Sequence, residues 1–536
     1  MYSLLAGLGL MPDFRLTAQT FTTLHSFSAT SGEFSGATNS DGVYPADGVI
    51  QSGNILYGTA VSCGGSGYGT VYSLNTDGTG FTNVHTFDGY PGDGDHPYAG
   101  LLSVGDTLYG TTVGGGNRGW GTVFAISTNG TGLSILHSFT SAYGSPNVTN
   151  SDGAGPYGYG GLIRSGYTLY GTAFGGGSSG HGVVFRVNTD GTGFTNLHSF
   201  TAGSGGYPIV TNSDGAYPLA GLTLSGSALF GAAESGGTSG NGTVFAVNTD
   251  GSGFTTVHSF AAGSSSYPHT TNSDGAQPLA ALVLAGSTLY GTANSGGDWG
   301  NGTVFAVNTN GSGFTILHSF TAGSGTYPTV TNSDGANPFG GLILSGNTLY
   351  GTADTGGSSG SGTVFAVNCD GTGFTNLYNF AAGVGTYPMI TNSDGAHPGG
   401  RLSLSRNTLY GTAEFGGSSG NGTVFSLSFR PQLTITPSGA YVVLQWPTNY
   451  AGFDYTGFTV ESTANLVLPV AWTTESPGQV VGEEEVVVSL VSGAQQYYRL
   501  SDQTQQTGRC FHNSDCPPGY RCIIPFGATV GTCSKY

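Results

Sequence analysis

One phrase, Leu-Tyr-Gly (once Leu-Phe-Gly), recurs seven times, with its aromatic at Tyr57, Tyr109, Tyr170, Phe230, Tyr290, Tyr350 and Tyr410. The spacings are 52, 61, 60, 60, 60 and 60 residues. A fixed period of this size restricts the chain to a solenoid, a propeller or an array.

Each period reads as four strands. In the fourth unit they are residues 221–226, 228–233, 242–248 and 254–260, each rich in alternating, aromatic or β-branched residues. Ser225-Gly226 and Asp250-Gly251 supply tight turns between them. The ends of the array decide between open and closed. The seventh unit stops after Ser428 with three strands, and the missing fourth phrase stands at the N-terminus as Phe21-Thr-Thr-Leu-His-Ser-Phe27. One displaced strand at each end is what ring closure requires, because it removes the exposed sheet edge. The reading is therefore all-β: a seven-bladed β-propeller over residues 19–429, closed by the N-terminal strand.

The phrases TLYGTA, GGSSGNGTVFAVNTDGTGFT, LHSF and NSDGAxPxxGL resemble the bacterial tandem-repeat family known as GloVer, over roughly residues 20–429. The resemblance implies secretion, varied C-terminal modules and a propeller. It implies no catalytic residues.

Glycine contributes 98 residues and charged residues only 7%, which disfavours long helices and suits short strands with tight turns. The formal charge is −18, and Lys535 is the sole lysine. Phosphate neutralisation by Lys and Arg underlies much nucleic-acid affinity, so nucleic acid and anionic membranes are poor partners; cations and neutral glycans stay open. Residues 1–18 read as a shortened signal peptide, with an apolar run from Leu4 to Met11 and Leu16-Thr17-Ala18 as a cleavage site. The expected location is extracellular or cell-surface, and no stretch is long and apolar enough to span a membrane.

Composition shifts at Phe429-Arg-Pro431. Residues 430–501 carry their own β pattern, with Val442, Leu444 and Trp446 alternating, and are similar to immunoglobulin or fibronectin III-like sandwiches. Residues 502–509 form a polar linker. Cys510, Cys516, Cys522 and Cys533 then crowd the final 27 residues, and two disulfides of undetermined connectivity are expected in so short an exported segment. Cys63 and Cys369 lie in different loop types and are not expected to pair with each other.

Strand alternation puts the second-to-third loops and the long blade connections on one rim, the usual place for binding. One position per blade (His25, His85, His137, His198, His258, His318, with Tyr378 as the seventh member) reads as structural. The aspartates of Asn-Ser-Asp-Gly (Asp41, Asp152, Asp214, Asp274, Asp334, Asp394) admit an Asx-type turn or a calcium loop. Exceptions to the repeat point to function. After the second strand stand Val61, Val113, Phe174, Glu234, Asn294, Asp354 and Glu414; before the third stand Tyr68, Trp120, His181, Asn241, Asn301, Ser361 and Asn421. Rings thus fall on blades 1–3 and acids or amides on blades 4–7, with Trp299 added to the polar half. Rings that stack on sugar faces and polar groups that pair with hydroxyls suit a glycan.

Three function classes follow. The first is an extracellular binding or adhesion protein that holds a glycan through Tyr68, Trp120, His181, Glu234, Asn294, Trp299, Asp354 and Glu414. The second is a carbohydrate-active hydrolase or lyase using Glu234, Asp354 and Glu414. The third is a self-assembling matrix or fibre subunit.

Overall fold

The computed structural model describes residues 18–31, 37–143, 148–207, 209–264, 271–325, 330–386 and 389–431, and beyond these the strands of the C-terminal region with a few residues between. The N-terminal segment read as a signal peptide lies outside the described residues. Seven four-stranded antiparallel sheets follow one another along the chain. In the second blade the strands are Leu102–Val104, Thr107–Thr112, Thr122–Ser127 and Ser134–Ser138, hydrogen-bonded in that order. The seventh blade takes three strands from Ser403–Ser405, Thr408–Ala413 and Thr423–Arg430, and its fourth from Ala18–Ser26. The ring closes as the displaced phrase predicts.

The glycine of the repeated phrase has a packing role. Gly110 pairs with Phe124 of the third strand, and a Cβ on Gly110 would fall 2.6 Å from that ring. The bare backbone gives the ring a seat, and the same pairing recurs at Gly231 and Phe245. Phe124 and Phe245 are consequently fully buried. The core lies between neighbouring sheets: Tyr109, Val123 and Phe139 of the second blade pack on Leu162, Leu169 and Phe185 of the third.

The recurring histidines join blades. His137 stacks on Phe194 of the next blade with ring centroids 3.6 Å apart, while its Nε2 lies 2.9 Å from Asp152 Oδ2. The same pair forms between His25 and Asp41, His198 and Asp214, His258 and Asp274, and His318 and Asp334, with Tyr378 donating to Asp394 in the sixth blade. His85, whose connection lacks Asn-Ser-Asp-Gly, pairs with Asp93. Backbone N–H groups complete these carboxylates, as Thr201 does for Asp214, with its hydroxyl donating as well. The loop acids considered for calcium are thus bonded to protein donors, and no group of three or more His, Cys, Asp or Glu side chains suited to a metal ion occurs among the described residues.

The chain divides into two compact units, the propeller (Thr22–Ser405 with Leu409–Ser426) and a second unit built mainly from Leu427 onward. The second unit holds a four-stranded antiparallel sheet (Thr434–Ser438, Tyr441–Pro447, Glu484–Leu490, Gln479–Val481) and a three-stranded one (Thr473–Thr474, Phe458–Thr463, Tyr497–Asp502). Leu444, Trp446 and Val460 are buried there, whereas Val442 is only partly covered. In the tail, Cys522 and Cys533 are register partners in an antiparallel pair, and Cys510 pairs with Gly531. Cys516 and the side chains of the other three tail cysteines lie outside the described residues. Cys63 and Cys369 are both free thiols. Among the described residues no helix is long and apolar enough to cross a membrane.

Candidate functional site

The loop-rich rim is stitched together by a backbone belt. In every blade the residue before the recurring proline of Asp-Gly-x-x-Pro links two rim loops. His397 N–H donates to the Ser361 carbonyl at 3.0 Å, and its own carbonyl accepts from Glu414 N–H at 3.0 Å. Tyr44, His96, Gly155, Tyr217, Gln277 and Asn337 make the same two bonds. The six residues other than Gly155 hold φ between 53° and 60°. Side-chain-bearing residues rarely adopt this left-handed region, and those next to proline are further restricted. Such strain persists only where the surrounding structure holds it, here through the two rim bonds of each residue. It went unread in the sequence, where it was one variable x among others.

The belt sorts the candidates. Asn241, Asn301 and Asn421 turn inward, each donating from Nδ2 to a carbonyl of the following loop at 2.5–2.6 Å. His181 is buried with Nδ1 3.1 Å from the Thr201 carbonyl oxygen. These four brace loops. Trp120 is partly buried against the core between blades 2 and 3. Tyr68 and Trp299 are exposed. Asn294 Oδ1 is buried with no hydrogen-bond partner.

The three acids do not all converge. Glu234 on blade 4 is buried beneath Tyr207, whose hydroxyl donates to Oε1 at 3.5 Å, while Oε2 has no partner. Burial pushes its carboxyl up to about 7, with the Tyr207 bond opposing. Asp354 and Glu414 meet around His397. The imidazole Nδ1 lies 3.3 Å from Asp354 Oδ2, and the main-chain N–H of Glu414 donates to the carbonyl of the same histidine. Burial and the Asp354 charge push Glu414 up to about 7, against the pull of His397. Burial alone would lower His397, but Asp354 and Glu414 raise it above the ordinary histidine value.

At the axis the chain carries features that the strand alignment hid. Between Pro156 and Leu162 there are five residues where other blades have three, and the extra length delivers Tyr159. Tyr159 of blade 3 meets Phe339 of blade 6 edge-on, with centroids 4.7 Å apart. Blades three apart in a ring of seven touch only across the centre, so this pair lies over the mouth of the central channel. Tyr98 and Tyr157 adjoin it, and Phe174, Tyr217 and Tyr207 continue the rings outward to Glu234. Burial raises the Tyr159 phenol well above its ordinary value, and the charges of Tyr98, Glu414, Tyr157 and Asp47 add to the rise.

Below the rings the backbones nearly touch. A Cβ on Gly48 would fall 1.6 Å from the Arg401 carbonyl oxygen, and one on Gly161 2.3 Å from that of Gly100. Asp47 takes advantage of this closeness. Its carboxylate accepts N–H bonds from Gly48 (2.7 Å), Gly100 (2.6 Å), Gly160 (2.9 Å) and Arg401 (3.3 Å), joining blades 1, 2, 3 and 7. The sequence signal was an acid where other blades carry alanine or glycine.

The ionisable groups dictate a pH optimum for stability. Burial raises Asp41, Asp93, Asp152, Asp214 and Asp334, but hydrogen bonds from their histidines and backbone, joined by a hydroxyl at all but Asp93, leave each below the ordinary 3.8. A depressed folded value contributes stability above the unfolded value and loses it as pH falls through the folded one. Glu234 and Glu414, raised from 4.5 to about 7, contribute below 4.5 and lose that contribution as pH rises through about 7. Thermal melts of the full chain should therefore peak at about pH 4–5. Glu234→Gln should raise the melting temperature at pH 8 and leave it little changed at pH 4.5. A melt that keeps rising from pH 5 to 8 would contradict this assignment.

The model of the Gloeobacter/Verrucomicrobia repeat matches residues 9–209 and 209–331. No curated protein sequence matches the chain. Among solved structures, similar chains include one from a nidogen/laminin complex (16% identity over 51% of this chain and 81% of that one, TM-score 0.31). An oligogalacturonate lyase in complex with manganese is 11% identical over 78% of this chain and 98% of its own, with a TM-score of 0.41. TolB from Acinetobacter baumannii is 11% identical over 56% and 58%, with a TM-score of 0.29. Nothing about ligand or chemistry follows from likenesses this weak.

Proposed function

We propose that this chain, which belongs to the Gloeobacter/Verrucomicrobia repeat family, is an exported protein that holds a neutral polysaccharide on the loop-rich rim of its propeller. The observation that carries the reading is the aromatic platform at the axis. Tyr159 and Phe339 meet there half-buried, with half-buried Tyr98 and Tyr157 alongside, and Gly399 of the loop whose His397 contacts Asp354 lies beside Phe339. The flat apolar faces of pyranose rings stack on such a surface, and their hydroxyls pair with phenols and carboxylates. A chain of charge −18 with acids in the site repels polyanions, which favours an uncharged glycan. The apolar N-terminal run and the cysteine-crowded tail support export. The second unit, similar in pattern to immunoglobulin or fibronectin III modules, serves as a spacer.

Affinity electrophoresis of the full chain through gels containing β-glucan, mannan, xylan or soluble chitin derivatives tests this reading. At least one neutral polymer should retard the protein, and Tyr159→Ala should weaken binding about tenfold or more, equivalent to about 1.4 kcal/mol. Absence of retardation by every polymer, or undiminished binding by a folded Tyr159→Ala chain, would overturn it.

A further inference from the structure

We infer that Glu414 and Asp354, gathered around His397 beside the axial aromatic platform, are the acid–base pair of a glycoside-hydrolysing site. The inference rests on the glycan reading above and adds a reaction to it. Three features of the geometry support it. The two acidic residues come from adjacent blades and flank one histidine: Asp354 Oδ2 lies 3.3 Å from its Nδ1, and the main-chain N–H of Glu414 donates to its carbonyl in the bond that every blade makes there. That histidine is only 2% exposed and held at φ 58°, so its ring is fixed by the fold rather than by solvent contact. The loop that carries this histidine also adjoins the aromatic platform, since a Cβ on Gly399, two residues beyond His397, would fall 3.6 Å from the Phe339 ring.

The two acids occupy different environments. Glu414 is pushed up to about 7 by burial and by the Asp354 charge, so it retains a proton near neutrality. Asp354 is held against His397, whose protonated form is favoured by both acids. A pair of carboxyls flanking a glycosidic bond divides the roles of acid and base. In the step, the Glu414 carboxyl proton passes to the glycosidic oxygen as the C1–O bond breaks, and the bonding electron pair stays on that oxygen. A water molecule forms the new C1–O bond and gives a proton to the Asp354 carboxylate. Return of that proton to Glu414 through solvent restores the site. One glycan and one water thus become two shorter glycans. His397 is a positioning residue in this scheme, because it acts through the two acids.

The full chain incubated with cellohexaose, laminarihexaose, chitohexaose or mannohexaose, followed by binding and by release of new reducing ends, tests the inference. The wild-type chain should cleave at least one hexaose that it binds, with a rate that falls as pH rises through about 7. Glu414→Gln and Asp354→Asn should still bind while cleaving about a hundredfold more slowly or less. His397→Asn should displace the pH profile as well as lower the rate, which a purely structural role would not do. Asp250→Asn, on the short-turn rim, should cleave as wild type does. Binding without cleavage by the wild-type chain would overturn the inference and leave the glycan reading intact. Failure to bind any hexaose would overturn both, and wild-type rates from Glu414→Gln would remove the acid role.

Discussion

A chain lacking residues 1–27 should fail to form a stable ring. The strand Ala18–Ser26 is the outer strand of the seventh blade, and without it the edge of Thr423–Arg430 stands open. Phe27, fully buried, packs with Val49, Leu56, Tyr72 and Tyr410, so its loss opens the core between the seventh and first blades. Deleting a buried phenylalanine side chain alone costs about 3–5 kcal/mol, against a total of about 5–15 kcal/mol for a typical domain. Further losses include the Phe27 N–H bond to Gly422, the His25–Asp41 pair and the His25–Phe81 stack. The expected fall in melting temperature is about 10 °C or more, with association through the exposed edge. A synthetic peptide of residues 18–30 should restore part of the loss by adding itself as a strand. A truncated chain that melts within a degree or two of the full one would show that this strand does not close the ring.

The second large effect is expected at Asp47. Asp47→Ala removes the acceptor of four backbone N–H groups at the axis, where neighbouring backbones leave little room. A hydrogen bond to a charged group contributes about 1.5–3 kcal/mol, and each buried donor left without a partner carries a desolvation cost of about 1–3 kcal/mol. The losses are not additive, because the four donors share one carboxylate. A destabilisation of about 4 kcal/mol is therefore expected, read from denaturant melts of the full chain. Asp47→Asn should fall between, since its amide keeps one acceptor oxygen and turns N–H groups toward the remaining donors. A change below about 1 kcal/mol in Asp47→Ala would mean that solvent replaces the carboxylate and that the axis is not clamped there.

Much of this architecture was legible in the repeat. The period fixed the blade count, and the stray Phe21–Phe27 phrase announced closure by an exchanged strand. The glycine of Leu-Tyr-Gly was visible as a signal but not as a cause, because the ring that occupies its face comes from a strand fourteen residues away in sequence, as Phe124 does for Gly110. Candidate-site residues were legible only where they broke the pattern at an aligned position. Glu234, Asp354 and Glu414 stood out as acids, yet only the fold separates Glu234 from the other two, which His397 draws together. His181 looked like a ligand among rings, but its ring is spent on a loop carbonyl. Tyr159 and Asp47 stayed hidden because their importance comes from crossing the ring axis, and no local spacing encodes contact between blades 3 and 6 or between blades 1 and 3.

The central claim is that the working surface is the loop-rich rim at the channel mouth. Hydrogen exchange of the full chain, with and without a saturating bound hexaose, tests it most directly. Slowed exchange at residues 98–100, 157–161 and 339–341, with no change in the short turns at 249–253 and 369–373, is the predicted result. Protection confined to those short turns or to the second unit would contradict the claim.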